Sequence, residues 1–171
     1  MNRCIFSSDR VYRYVLRCEC ATAALKPRRR IAWIGLNPST ADEFTLDQTL
    51  AAVCRYSRKW GFSEVVMLNL FAFRTTQPRE LKRATDPIGP DNDTHLLTEV
   101  CAADRVIACW GDHGRFRGRD QHVVDLLVAK AAEFECLLKN KSGAPHHPLY
   151  LKLGMKPKPF REERIAAKRR K

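Results

Sequence analysis

The sequence predicts an α/β domain with three layers (α/β/α), in which a central four-stranded parallel sheet lies between helices. Two observations predict it: short apolar runs that end in polar or glycine-containing sequence, and helix-length amphipathic stretches between those runs. Their alternation along the chain is typical of parallel strands joined by right-handed crossovers. At 171 residues the chain has the length of one ordinary domain, and we expect one.

The four predicted strands are apolar runs that suit burial on both faces of a sheet. They lie at 31–36, 65–71, 105–110 and 135–138, the last continuing to 140. The helices between them are predicted from apolar residues at helical spacing, with a glycine stop after the first. They lie at 46–61, 93–103 and 121–132.

Residues 1–30 are expected to add an N-terminal hairpin, because strand-like runs lie at 3–6 and 12–16. The single domain is expected to cover 1–152, and a basic tail follows over 153–171. Proline residues and a basic run at the end predict that this tail packs little. It either binds a phosphate backbone or is a solvated tail.

Basic residues exceed acidic ones along most of the chain. Lys and Arg total 31 against 19 Asp and Glu, which gives a net charge of +12. This balance favours a polyanionic partner such as DNA, although a basic surface also serves solubility. An odd number of cysteines, several inside apolar runs, and an N-terminus unlike a signal peptide indicate a reducing cytoplasm. No apolar run has the length of a membrane span, and no obligate protein partner is evident.

Two polar loops follow predicted strand ends, which is where sites of open α/β sheets are usually built. The first lies within residues 31–42, where an apolar run breaks at Gly35 into the sequence GLNPSTAD. The second, residues 142–150, reads SGAPHHPLY and follows the last strand. The two loops together predict one active site.

Each of the four predicted strands ends in a motif. In chain order these are GLNPS from Gly35, NLFAFR from Asn69 with a later Pro78, VIACWG ending at Gly111, and HPL from His147. Read together, the motifs resemble those of the uracil-DNA glycosylase superfamily. The stretch 13–150 is also similar, as a whole, to a bacterial and phage family of unknown function that shares this motif order and the sequences GLNPSTAD and HPLYL.

The first motif resembles the GxNPG element of the mismatch-specific uracil/thymine glycosylases. The second resembles the strand-end Asn and the following Arg of the iron–sulfur uracil-DNA glycosylases, and the fourth resembles the HPS-type loop of the superfamily. In that fourth motif Leu149 stands where a Ser usually follows the Pro. The resemblance implies a base-flipping fold that holds the target nucleotide at the strand ends, because the glycosidic carbon is inaccessible in a stacked duplex.

By resemblance, Asn37 places the attacking water, and His147 donates to the base carbonyl as negative charge develops there. A neutral amide orients water but does not take its proton, so the nearby carboxylates of Asp42 and Asp47 are candidate general bases. Each residue also has an ordinary interpretation. Asn37 can be a turn-forming residue before Pro, and His147 can be an ordinary surface histidine. Asp42 can cap the following helix, and Asp47 can pair with an Arg.

Asn69 is expected by resemblance to read the Watson–Crick edge of a pyrimidine, and otherwise to be satisfied by loop backbone. Ser39 stands where the narrowly uracil-specific enzymes have a bulky Tyr, so the site has room for thymine or a 5-modified pyrimidine unless Phe44 fills it. Phe44 and Phe71 are candidates for stacking on the base or for burial in the core. The other candidate substrate-binding residues are Gly35, Leu36, Pro38, Arg74, Trp110 and Gly111.

Contacts with DNA are expected from the loop after the last strand and from nearby cations. The candidate DNA-binding residues are Pro148, Leu149, Tyr150, Lys141 and Arg115. Leu149 and Tyr150 are candidates for the wedge that fills the space of a flipped base, a role that the resemblance implies.

No metal or other cofactor is expected. The ligands of an iron–sulfur cluster are missing, because Phe73 stands near where one cluster Cys is expected and Cys18-Glu19-Cys20 has CxC spacing. Zinc lacks a four-ligand set, and the cysteines are expected to be small buried hydrophobes.

The sequence therefore predicts a monofunctional DNA glycosylase-like hydrolase that acts on a flipped-out uracil-like or 5-modified pyrimidine. Two alternatives stay open, because fold resemblance does not decide function. One is a nucleic-acid or nucleotide binding module on the same scaffold that has lost hydrolysis. The other is a hydrolase of a free modified nucleoside or nucleotide.

Overall fold

The computed structural model describes residues 2–20, 28–39, 47–149 and 151–161, which form a mixed α/β structure. Seven strands in these ranges make one sheet. They are β1 (Arg3–Phe6), β2 (Arg13–Glu19), β3 (Arg30–Gly35), β4 (Glu64–Asn69), β5 (Arg105–Ala108), β6 (Glu135–Cys136) and β7 (Lys158–Pro159). The helices are α1 (Gln48–Lys59), α2 (Pro78–Arg83), α3 (Asn92–Cys101) and α4 (Arg119–Ala129), with 3-10 turns over Asp112–Gly118 before α4.

The strand order across the sheet is β1-β2-β4-β3-β5-β6-β7. The four strands β4, β3, β5 and β6 pair in parallel. The hairpin predicted at the N-terminus is formed by β1 and β2, and β2 also pairs antiparallel with β4. The expected four-stranded sheet is thus the middle of a larger mixed sheet, because a hairpin strand beside β4 provides partners for an edge that would otherwise be open.

The segment 153–161 differs from the loosely packed tail that its composition predicts. Within it, β7 pairs antiparallel with β6. The ring of Phe160 packs against Phe134 and Trp110, with ring centroids 5.4 and 5.7 Å apart. Burial of an aromatic ring is strongly favourable, so Phe160 packs against the core although most residues of the segment are exposed. Residues 162–171 lie outside the described ranges.

Apolar side chains cover both faces of the sheet, which explains why the central strands are apolar along their whole length. Successive residues of β3 point to opposite faces. Trp33 belongs to the core cluster that contains Val53 and Tyr56 of α1. Ile34 belongs to the cluster that contains Leu96 of α3 and residues of α4. Within the described ranges no helix combines the length and the apolar character needed to cross a membrane.

The three longer helices begin and end within three residues of their predicted bounds. By contrast, α2 was not predicted. It buries one apolar side chain, that of Leu81, and therefore has no repeated apolar spacing for a sequence pattern to detect.

Two buried polar side chains hold the end of β4, where Asn69 lies. Asn92 Nδ2 donates to the backbone carbonyls of Asn69 and Leu70 over 3.1 and 3.0 Å. Arg119 Nε donates to the Leu70 carbonyl over 2.8 Å, and its guanidinium pairs with Asp93. Carbonyls at a strand end lack partners in the ladder, so these side chains supply the missing hydrogen bonds.

Replacing Asn92 by alanine is expected to lower the free energy of unfolding by about 1–3 kcal/mol, because the Asn69 carbonyl loses its side-chain donor and the Leu70 carbonyl keeps only that of Arg119. Urea denaturation measures this change. The control is Gln121→Ala on the exposed surface of α4, for which a change below about 0.5 kcal/mol is expected. If the two variants lost equal stability, the Asn92 hydrogen bonds would not be what holds the strand end.

Candidate functional site

A cavity of about 330 Å³ opens at the carboxyl ends of the parallel strands. Its size is at the lower end of the range for small-ligand pockets. Eight residues predicted for the site line it, namely Leu36, Asn37, Ser39, Asp47, Asn69, Trp110, Gly111 and His147. The residues that sequence reasoning did not place in the site are Arg13, Leu16, Thr49, Leu50, Met67, Asp112 and His113.

Strand register brings the first two motifs to the same place. Gly35 at the end of β3 is the parallel partner of Asn69 at the end of β4. The pairing continues past both strands, because Leu70 N donates to the Gly35 carbonyl and Phe71 N donates to the Leu36 carbonyl, each over 2.9 Å. The loop after β3 is therefore fixed beside the end of β4.

Asn69 ends β4 with its side chain buried at the cavity wall. Only 2% of its surface is exposed, and its Nδ2 has no hydrogen-bond partner among the described residues. A buried N–H without a partner costs about 1–3 kcal/mol. A bound ligand with an acceptor oxygen would satisfy this group. Trp110, on the same cavity, likewise has a buried indole Nε1 for which the described residues offer no acceptor.

Gly35 leaves space for the Asn69 amide. A Cβ at Gly35 would lie 2.8 Å from Met67 Cε and 3.0 Å from Asn69 Oδ1. The Met67 side chain is flexible and can move aside. The buried Asn69 amide has less freedom, so glycine is needed here for the close approach of β3 to this amide.

Gly35→Ala is expected to lower the free energy of unfolding by about 1–3 kcal/mol, because the added methyl group overpacks the interior at the strand ends. Gly154→Ala is a matched control, since a Cβ there meets nothing within 4 Å. Denaturant unfolding of both variants tests the prediction. Equal stability of the two would mean that the space beside Asn69 adapts without strain.

Asn37 lies in the loop after β3, and backbone carbonyls fix its amide. Nδ2 donates to the Thr75 carbonyl over 2.7 Å and to the Pro38 carbonyl over 3.1 Å. Since both partners are acceptors, the NH2 group must face them, and this determines which way the amide oxygen lies. In the described part of the chain no donor binds the Asn37 oxygen, so this acceptor can bind a water or ligand proton in the cavity.

The loop after β6 brings His147 to the cavity. Gly143 turns this loop with φ of +87°. The Asp112 carboxylate, just after β5, accepts hydrogen bonds from Ser142 Oγ and from Asn140 Nδ2, the latter over 2.9 Å. These bonds, that of Ser142 first, hold the pKa of Asp112 below its ordinary value. The His147 loop is thus attached to the end of the neighbouring parallel strand.

Hydrogen bonding determines which His147 nitrogen has the proton. Its Nδ1 accepts from Leu149 N over 3.3 Å, so the neutral ring has its proton on Nε2 and is a donor there. Burial, followed by the neighbouring His146, lowers the pKa of His147, and Asp47 opposes the shift. His146 instead donates from Nδ1 to the His147 carbonyl over 2.6 Å.

The lowered pKa of His147 predicts that the protein loses stability on acidification. Below the ordinary pKa of 6.5 the unfolded chain binds a proton at His147 that the folded chain does not yet bind. Stability is therefore fully present above that pH and is lost as the pH falls toward the folded pKa. Urea midpoints between about pH 7 and pH 5 measure it. His147→Gln should flatten this dependence. Gln121→Ala, which removes no titratable group, should leave it unchanged. Equal slopes for wild type and His147→Gln would contradict the assignment.

Charged side chains also line the cavity. Arg13 reaches it from β2 and is only 3% exposed, and its signal in the sequence was a charged residue inside the apolar run YRYVL. Asp47 uses one carboxylate oxygen to cap α1, accepting from Leu50 N over 2.7 Å. A ligand here would meet a buried guanidinium on one wall and carboxylates of Asp47 and Asp112 on others.

Of the residues predicted to bind substrate, Gly35 and Pro38 lie beside lining residues without lining the cavity themselves, and Phe71 and Arg74 lie away from it. Phe71 is fully buried in the core, where its ring packs against Phe116 with centroids 5.8 Å apart. Arg74 Nη1 donates to the Arg10 carbonyl over 3.2 Å, and its guanidinium lies 4.9 Å from the centre of the Phe6 ring. Arg74 therefore contacts the N-terminal hairpin.

Four of the five residues predicted to bind DNA are described, and they lie on or beside the His147 loop. Pro148 and Leu149 line a separate groove of about 560 Å³ against α1. Lys141 is exposed in the turn of the loop, and the exposed Arg115 binds the Ser142 carbonyl. Asp42, Phe44 and Tyr150 lie outside the described residues, so their roles stay predictions.

No group of three or more His, Cys, Asp or Glu side chains in the described ranges is arranged to hold a metal ion. The seven cysteines are free thiols, of which Cys18, Cys109 and Cys136 are buried. The described residues that line the cavity provide amides, two imidazoles, hydroxyl groups, an indole, a guanidinium and carboxylates.

Comparison with known proteins relates the whole site to one family. The family model described as "Protein of unknown function (DUF1643)" matches residues 13–149, a span that includes every residue lining the cavity. No curated protein and no solved structure matches. The matched span nearly coincides with the stretch 13–150, whose motif order resembles a family of unknown function. The chain belongs to the DUF1643 family.

Proposed function

We propose that this protein is a monofunctional DNA glycosylase-like hydrolase, which cleaves the N-glycosidic bond of a uracil-like or 5-modified pyrimidine flipped out of DNA. The strongest support is the buried Asn69 amide, whose Nδ2 has no partner in the described part of the chain and which shares one cavity with Asn37 and His147. Parallel strands with helices on both faces support the uracil-DNA glycosylase-like fold that this function requires. The seven free thiols support a cytoplasmic location of the protein.

Base recognition rests on Asn69. Its amide has a donor and an acceptor side by side, which match a carbonyl next to an N–H on the edge of a uracil-like base. Trp110 supplies a flat apolar surface together with a buried N–H. Ser39 at the cavity wall is small, which leaves room for a substituent at the 5-position of the base.

Bond cleavage rests on His147 and Asn37. When the bond between the anomeric carbon and the base nitrogen breaks, the electron pair goes to the base, and its O2 becomes negative. The His147 Nε2–H donates to that oxygen. Water adds to the anomeric carbon with one of its protons held by Asn37 Oδ1, and its other proton passes to a carboxylate. Asp47 is the candidate acceptor in the described residues, and Asp42 is the other candidate.

Binding of DNA rests on charge and on the position of the loop. The net charge is +12, and the exposed Arg115 and Lys141 lie on or beside the loop that presents His147. Neutralised phosphates release counterions, so affinity for DNA should fall steeply with added salt. A hydrolase of free nucleosides would show neither this salt dependence nor a dependence on oligonucleotide length.

The experiment is an abasic-site assay on labelled single- and double-stranded oligonucleotides. Each contains one candidate base: uracil, thymine opposite guanine, 5-hydroxymethyluracil, hypoxanthine or a modified cytosine. Alkaline cleavage after incubation reveals base release. Cleavage at a pyrimidine lesion would support the proposal and identify the base. Salt-sensitive binding without cleavage on any substrate would instead favour a binding module, and release of base from free nucleosides alone would favour a nucleoside hydrolase.

A further inference from the structure

Two cysteine side chains face each other between the sheet and α1, away from the groups used above. Cys18 lies in β2 and Cys54 in α1, and their Sγ atoms are 3.7 Å apart. They are separated by 35 residues in the sequence and are brought together by packing alone. Cys18 is 8% exposed and Cys54 is half-buried.

The contact makes the two thiols unequal. The Cys54 S–H donates to Cys18 Sγ. This hydrogen bond lowers the pKa of Cys18 to about 7 and raises the pKa of Cys54. Thiolates are the nucleophilic form of cysteine, so Cys18 is the more reactive of the two. The Cys54 thiol keeps its proton, which lies close to the Cys18 sulfur.

We propose that Cys18 and Cys54 form a reversible intramolecular disulfide when the protein meets a peroxide. The Cys18 thiolate attacks one oxygen of hydrogen peroxide, the O–O bond breaks, and the product is a sulfenic acid and hydroxide. The hydroxide takes the Cys54 proton and becomes water. The Cys54 thiolate then attacks the Cys18 sulfur, the S–O bond breaks, and the released hydroxide takes a solvent proton. Two thiols and one peroxide thus give one disulfide and two waters.

Neighbouring cysteines are less suited to this reaction. The Cys20 S–H donates to the Phe62 carbonyl over 3.3 Å, and burial raises its pKa to about 11. Burial also raises the pKa of Cys109, which is 1% exposed. Cys101 is exposed on α3 and belongs to neither core cluster. Cys18 and Cys54 are the pair for which the described residues show a contact between sulfur atoms.

The cross-link would join two walls of the cavity. β2 contributes Arg13 and Leu16 to the lining, and Cys18 follows Leu16 by two residues. The first turn of α1 contributes Thr49 and Leu50, and Cys54 lies one turn farther along. Oxidation would thus tie the strand that holds Arg13 to the helix capped by Asp47. The proposal stands whatever reaction the cavity performs.

The test uses the full-length native protein. It is treated with hydrogen peroxide, unfolded, alkylated with N-ethylmaleimide, digested and mapped by mass spectrometry. We expect two of the seven thiols to escape alkylation, with the Cys18 and Cys54 peptides joined and lighter by two hydrogens. Dithiothreitol should restore both thiols. Full alkylation of all seven after treatment, or a cross-link that includes any other cysteine, would overturn the proposal.

Single substitutions test the order of attack. In Cys54→Ser the Cys18 peptide should gain oxygen and form no cross-link, whereas in Cys18→Ser the Cys54 thiol should stay reduced at the same peroxide dose. Cys101→Ser is the control and should cross-link as the wild type does. Oxidation of Cys54 in the Cys18→Ser variant at the wild-type rate would overturn the assignment of Cys18 as the nucleophile.

Discussion

Asn69→Ala is expected to lower kcat/KM for base release by about 100-fold or more, because the substrate loses the amide that reads its edge and the transition state loses a preorganised dipole. The same change should cost less than about 1 kcal/mol of stability, since it removes a buried N–H that has no partner in the described residues. The variant should therefore lose activity and keep most of its stability. Loss of a merely structural asparagine would lower both. Single-turnover abasic-site assays and urea denaturation measure the two quantities.

The Asn69→Asp variant sharpens this test. It keeps the shape and one oxygen of the side chain but replaces the Nδ2 donor, so it should be as inactive as Asn69→Ala at neutral pH. Gln121→Ala, on the exposed surface of α4, should keep wild-type activity. An active Asn69→Asp variant would show that the donor does not bind substrate, and the recognition scheme would then have to be abandoned.

Asn37→Ala is expected to reduce the single-turnover rate by about 100- to 1,000-fold while leaving affinity for the oligonucleotide nearly unchanged. The amide oxygen that would hold the attacking water is lost, whereas the cations beside the His147 loop are untouched. Salt-dependent binding curves and rates, both recorded well below the unfolding temperature, separate the two effects. An unchanged rate would remove Asn37 from the mechanism, and a parallel loss of binding would make it a structural residue of the loop.

The Asn37 variant also disturbs the loop, because the Thr75 carbonyl loses the Asn37 amide as donor and the Pro38 carbonyl keeps only the backbone N–H of Thr75. His147→Ala removes a different group from the same cavity and leaves that loop intact. A loss of rate in both variants would therefore point to the chemistry that they share. A loss in Asn37→Ala alone would point to the loop.

Much of the fold could be predicted because the central strands are buried on both faces. Their apolar runs, and the amphipathic period of the longer helices, appear directly in the sequence. The short elements could not be predicted in this way. β7 has two residues, Lys158 and Pro159, both exposed, and it is in the sheet because Phe160 packs against Phe134. No local pattern records a contact between residues that far apart in the chain.

The motif order at the strand ends identified seven of the fifteen residues that line the cavity, since parallel strands bring their carboxyl ends to one edge of the sheet. Arg13 was missed because it comes from an added antiparallel strand. Phe71 was predicted for the site because it follows Asn69 by two positions, yet its ring is buried in the core against Phe116, a contact between residues distant in the chain.

By itself, the sequence determined the apolar runs, the strand-end motifs and the excess of positive charge, all of which are local or additive properties. Only the tertiary structure decided the partners of each polar group. It left the Asn69 Nδ2 without an acceptor in the described residues, oriented the Asn37 amide through two backbone carbonyls, and put the His147 proton on Nε2. Hydrogen bonds and burial depend on groups distant in the chain, so these properties of the site arise only when the chain has folded.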